Sequence, residues 1–160
     1  MKVRHLARNI DWSSFTQPTW NKTGALESAL DALRQPNDPE GVDGLYNRLL
    51  YALGSNHAGT LYPIAVPAIP VLAEIARDGP HRPARRFALE VLVDVASFGP
   101  DQDFGPLDFG EGTRAPLEKW VSRRCAEAAT TIRDVVDEWR DEALIRSAHE
   151  FLRSVEGVPR

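Results

Sequence analysis

Apolar residues recur along this chain three and four positions apart, the spacing that lines one face of an α-helix. Leu26, Ala29, Leu30 and Leu33 share a face of residues 24–34, and Pro36 closes that segment. Leu45, Leu49, Leu50 and Leu53 stripe a second helix over 42–53, after which Gly54 stands where a left-handed C-cap belongs. A third helix is expected over 60–77, with Thr60 as N-cap and Pro63 in the first turn, where a missing N–H is harmless. Val66, Ile69, Leu72, Ile75 and Ala76 keep the period across Pro67 and Pro70, which predicts one kinked helix rather than two pieces.

The pattern continues over 82–98 through Ala84, Phe87, Ala88, Val91, Leu92 and Val95, with Pro83 in the first turn and Gly99-Pro100 as terminator. Leu117, Val121, Cys125, Ala128, Ile132, Val135 and Trp139 predict a long helix from 116 to about 140, and Leu144, Ala148, Phe151 and Leu152 a last one over about 141–155. Periodicity leaves open whether these two are one bent helix or a hairpin. Residues 1–23, with Trp12, Phe15 and Trp20, read as an irregular cap on the first helix. No stretch alternates at period two between turn signals, so no sheet is expected. The fold class is all-α, one domain over 1–160 with about six helices. A single amphipathic pair cannot close a core; stacked pairs and a compact bundle both can.

The segment Leu49-Leu50-Tyr51-Ala52-Leu53-Gly54, then His57-Ala58-Gly59-Thr60-Leu61-Tyr62-Pro63, then Ala68-Ile69-Pro70-Val71-Leu72, resembles bacterial HEAT-like helical-repeat proteins. In these a leucine-rich helix leads into a His-x-Gly-Thr-x-Tyr-Pro turn and a second helix with proline near its start. Ala58 departs from the glutamine usual there. The resemblance covers about 45–98 and implies a short right-handed α-solenoid of helical hairpins. It also implies a protein- or nucleic-acid-binding scaffold, and many small bacterial members look like toxin-neutralising partners.

Composition narrows the function without choosing it. A hydrophobic share of 42% and a charged share of 26% mark an ordinary globular chain. The net charge of −4 weighs against a nucleic-acid clamp built on positive charge. Among 19 basic residues only Lys2, Lys22 and Lys119 are lysine, a bias we read as compositional. Cys125 is the single cysteine, which excludes an intramolecular disulfide and a thiolate zinc cluster. The N-terminus lacks the apolar run of a secretory signal, and the longest uncharged apolar stretch, 58–73, is too short and too proline-rich to span a membrane. A cytoplasmic protein with no membrane segment and no cofactor is expected.

No local motif supplies catalysis or a metal. His57 has no second ligand at a metal-like spacing and is read as a turn or capping residue. His81 and His149 are equally isolated. His149-Glu150 starts a zinc-protease pattern, but Arg153 stands where its second histidine belongs. Cys125 lies on an apolar helix face and is read as buried filler.

The loop over 99–114 is the unusual stretch. It repeats Asp-Phe-Gly at Asp103 and Asp108, and over 99–112 holds Asp101, Asp103, Asp108 and Glu111 with no base. A kinase reading fails because neither the glycine loop nor the catalytic-loop motif is present. An EF-hand starting at Asp101 fails because Gly105 and Gly112 occupy ligand positions. Two readings remain: Phe104 and Phe109 anchor a partner inside an acidic surround, or both tuck onto the core while the acids solvate the loop.

Arg82, Arg85 and Arg86 form the tightest basic cluster, at a helix N-terminus where the dipole disfavours cations. They either bind an acidic group or are offset internally, by Asp78 or the acidic loop. The expected function is a non-enzymatic protein-binding scaffold, in one form an immunity-type protein neutralising a bacterial toxin. Its partner would be a protein with a basic surface, met by Asp101, Asp103, Phe104, Asp108, Phe109, Glu111, Arg82, Arg85, Arg86, His57 and Tyr62. Nucleic-acid binding through Arg82–Arg86 and a structural homo-oligomeric subunit are the alternatives.

Overall fold

A computed structural model describes residues 9–35 and 44–157. Among them lie six α-helices: α1 (Ala25–Arg34), α2 (Leu45–Leu53), α3 (Ala65–Asp78), α4 (Arg82–Ser97), α5 (Leu117–Val136) and α6 (Glu142–Glu156). The predicted stripes are their buried faces, and Leu26, Leu49, Leu50, Ile69, Leu72, Leu92, Ile132 and Phe151 join one hydrophobic cluster. The end of α5 is corrected: the helix stops at Val136, which is buried in place of Val135, and Trp139 lies beyond it, partly buried. Each consecutive pair packs together, α1 on α2, α3 on α4 and α5 on α6. Between pairs, α1 meets α3, α2 meets α4, α3 meets α5 and α4 meets α6. The chain around 137–141 separates α5 from α6, which are two helices packed on each other.

The expectation of no sheet is corrected in one place. Three two-residue strands, β1 (Gly54–Ser55), β2 (Thr60–Leu61) and β3 (Gly99–Pro100), form a ladder in which β1–β2 is antiparallel and β2–β3 parallel. Two residues are too few to leave an alternation in sequence.

That ladder also moves the start of the third helix. Thr60 is not its N-cap; it pairs with Ser55 and Gly99 and gives its hydroxyl to Asp101 at 2.7 Å. The helix begins at Ala65, so Pro67 falls in the first turn, where its missing donor is harmless, and only Pro70 is interior. α3 runs on through both prolines. Gly54 is not left-handed either: its φ of 172° is extended, because it belongs to β1. Glycine is needed there because a Cβ would stand 1.9 Å from the Thr60 carbonyl oxygen.

Elsewhere the ends follow local chemistry. Asp141 caps α6 by accepting from Ala143 and Leu144 N–H, and Gly157 closes it at φ 71°. His81 caps α4 through Nδ1, which accepts from Ala84 N–H at 3.2 Å. The residues before α1 hold a short 3₁₀ turn, Trp12–Ser14, with Trp12 buried. Pro36 and Val42, used above as helix boundaries, lie outside the described residues. No helix among the described residues is long and apolar enough to cross a membrane.

Candidate partner-binding face

The loop after β3 is ordered by its own sequence. In each Asp-Phe-Gly copy the aspartate Oδ1 accepts the glycine N–H, Asp103 from Gly105 at 2.8 Å and Asp108 from Gly110 at 2.9 Å. Gly105 and Gly110 have φ of 67° and 85°, conformations that a side chain would oppose. The repeat is therefore the same Asx turn made twice, each time projecting a phenylalanine from its middle position. Asp108 also accepts from Glu111 N–H, and Leu107 pairs with Ala115 across the loop.

Both phenylalanines turn inward, as the second sequence reading had it, though neither is fully buried. The Phe109 ring stacks on Phe15 at 5.8 Å and meets Trp120 edge-on at 5.2 Å, clamping the N-terminal cap to α5. Phe104 lies 5.3 Å from Tyr62, Tyr62 is 6.0 Å from Trp20, and Trp20 is 5.3 Å from Tyr51. The result is a run of four rings from the loop to α2. Its far end is open to solvent: Trp20 is 37% exposed and Tyr51 55%. Trp20 is fixed all the same, its indole N–H donating to the Tyr51 carbonyl at 2.8 Å.

At the other end of the run is a cavity of about 390 Å³. Phe104, Pro100, Pro116 and Leu117 give it apolar walls, and Asp103 and Glu118 give it carboxylates. No basic side chain lines it. Asp101 stands nearby on the β2–β3 ladder, and burial followed by the Asp101 carboxylate raises the Tyr62 hydroxyl above its usual pKa.

Glu111, in contrast, is spoken for. Its carboxylate meets Arg124 at 2.6 Å and Arg123 at 2.7 Å, and the hydrogen bond from Arg124 is the main reason its pKa is lowered. It ties the loop to α5 rather than presenting charge to a partner.

The arginine cluster is also turned to internal use, in part as expected, since the Asp78 charge acts on Arg85, and in part through other partners. Arg82 pairs with Asp141 at 2.6 Å, while Asp78 is taken by Arg77. Arg85 lies over the Trp139 ring at 4.5 Å and its Nε donates to the Ala76 carbonyl at 2.9 Å. Arg86 sits 3.3 Å from Glu90, close enough for an ion pair though not aligned as a hydrogen bond. Arg82 and Arg85 fasten α4 to its neighbours, Arg86 stays within α4, and the structure does not bring any of the three to the loop.

His57 is exposed in the turn between β1 and β2 and has no hydrogen-bond partner among the described residues. The capping or turn bond expected of it is absent there. Cys125 is 2% exposed and burial pushes its thiol up to about 12, far from a reactive thiolate. No group of three or more His, Cys, Asp or Glu among the described residues is placed to hold a metal ion.

Sequence reasoning missed Trp20, Tyr51, Glu118, Pro100 and Pro116 as parts of this face. Asp-x-Gly repeated in one loop was the local signal for paired Asx turns. Nothing local signals that Trp20 meets Tyr51 or that Glu118 and Asp103 line one cavity, since tertiary packing alone brings each pair together. No family model, no curated protein and no solved structure matches this chain.

Proposed function

We propose that this protein is a non-enzymatic protein-binding module that engages a partner of basic surface through the loop face. The observation that carries the reading is the run Tyr51–Trp20–Tyr62–Phe104, half open to solvent and ending at a base-free cavity with two carboxylates. Exposed, rigidly held aromatic rings are the commonest source of binding energy at protein interfaces, and acidic groups beside them select a basic partner. Loop acids held by Asx turns present fixed charge, so less ordering entropy is lost on association.

The pairing of helices fits this reading as a short α-solenoid of HEAT-like hairpins. Helices meet within pairs and then like with like between pairs, the relation expected of a two-layer stack. An immunity-type protein that neutralises a toxin by covering its basic surface is the specific form we favour. Nucleic-acid binding through Arg82, Arg85 and Arg86 loses support because each of them has an internal partner.

The test is site-specific photo-crosslinking in the native host with a photoreactive residue at Gln102 or Tyr51, and a control at Glu138. Gln102 lines the cavity, whereas Glu138 lies past the far end of α5. One protein crosslinked from both loop-face positions and not from Glu138, then bound in purified form with a salt-weakened Kd, is the expected result. Crosslinks of equal yield from all three positions, or binding by the purified partner that Phe104→Ala leaves unchanged, would overturn the reading.

A further inference from the structure

We propose that the cavity between the loop and the first turn of α5 is the anchor for one basic side chain, arginine above all, of the protein partner. The inference rests on the binding reading above and names the chemistry that its central contact takes.

The walls divide by chemistry in the way an arginine does. Phe104, Pro100, Pro116 and Leu117 offer apolar surface to the methylene stem, while Asp103 and Glu118 offer carboxylates to the guanidinium. At about 390 Å³ the cavity is at the small end of ligand sites, which run from roughly 300 to 1,000 Å³. That suits one side chain rather than a large cofactor. The Phe104 ring adds a π surface of the kind on which a guanidinium stacks.

Charge decides the sign of the ligand. Among the described residues neither Asp103 nor Glu118 takes part in an ion pair, whereas Glu111 of the same loop is paired twice. The fold neutralises the acid that ties the loop down and, among the described residues, gives those at the cavity no basic partner, Asp103 keeping its bond from Gly105 N–H. The N-terminus of α5 opposes this with its dipole, equivalent to about half a positive charge. Two full carboxylates outweigh it, so the cavity attracts cations and repels phosphate. The rings beyond Phe104 then continue the surface outward to Trp20 and Tyr51, where residues flanking the arginine would lie.

The 160-residue chain, labelled with ¹⁵N, is titrated with three probes: N-acetyl-arginine methylamide, its uncharged citrulline counterpart, and inorganic phosphate. Saturable shifts at the Gly105, Leu117 and Glu118 amides with the arginine probe are expected, with the citrulline probe about fivefold weaker, the fold-change of one ion pair. Glu118→Gln, an exposed change, and Asp103→Asn, which keeps an oxygen for the Gly105 turn, should each reduce arginine binding toward the citrulline level. Equal binding of arginine and citrulline probes, shifts elsewhere in the chain only, or the same shifts with phosphate would overturn the proposal. Crosslinking at Gln102 reads the parent claim separately. If the partner crosslinks there but Glu118→Gln leaves its affinity unchanged, the anchor fails and the binding face stands; if the partner is not held at this face, both fail.

Discussion

The indole Nε1 of Trp120 donates a hydrogen bond to the Leu107 carbonyl at 2.8 Å. Leu107 also exchanges two backbone bonds with Ala115, so the middle of the loop is tied to α5 from both sides. A segment rich in glycine and aspartate is thereby pinned at its middle by three hydrogen bonds.

Trp120→Phe keeps a ring against Phe109 but removes the indole donor and part of a buried ring. Stability should fall by about 2 kcal/mol, a neutral hydrogen bond plus a small cavity, and exchange of the Leu107 and Ala115 amides should quicken. Trp120→Ala empties a site that is 2% exposed and should cost about 3–5 kcal/mol by urea denaturation.

Glu111→Gln removes the charge that Arg123 and Arg124 share. Arg124 holds the folded carboxyl below its usual pKa, so its stabilisation is complete above the unfolded value and is lost as pH falls through the folded one. Wild type should therefore exceed the variant in urea midpoint at neutral pH, and the two curves should converge on acidification. A gap that persists with the carboxyl protonated would show that packing, and not charge, links the loop to α5.

Arg85→Ala should cost about 2 kcal/mol, combining a charge-assisted hydrogen bond to Ala76 with stacking over Trp139. Arg85→Lys should recover little of it, because a lysine ammonium lacks both the planar face and the Nε donor. Denaturant midpoints compared across the three proteins check this.

Gly54→Ala and Gly99→Ala form a matched pair on the same small ladder. A Cβ on Gly54 would run into the Thr60 carbonyl, whereas one on Gly99 meets nothing within 4 Å. The first change should cost about 1–3 kcal/mol and open the β1–β2 turn. The second should stay within about 0.5 kcal/mol of wild type. Thermal melts with amide exchange at Tyr62, whose N–H bonds to the Leu53 carbonyl, distinguish them.

The helices were legible in the chain because their signals are local. Leu26 through Leu33, Leu45 through Leu53 and Leu144 through Leu152 repeat with the helical period, and the observed faces bury those residues. Proline placement was legible only in part: tolerance of Pro67 depends on where α3 begins, and that is decided by β2 pairing with β3 some forty residues later. Asp137 and Arg140, three apart, and Glu142 and Arg146, four apart, have helical spacing but do not pair among the described residues, and Arg133 reaches Glu156 instead. Exposed charges at helical spacing gain too little for proximity in sequence to choose their partners.

Helix count, the boundaries of α1, α4 and α6 and the apolar core were thus contained in the order of residues, since hydrophobic period and capping chemistry act within a few positions. The loop's conformation was half contained there, as two Asp-Phe-Gly turns whose glycines permit positive φ. Its place was not. Phe109 against Phe15, Phe104 against Tyr62, Arg82 against Asp141 and Asp103 beside Glu118 join residues far apart in the chain. Which of many apolar or charged groups becomes a neighbour is settled only when all the helices pack at once.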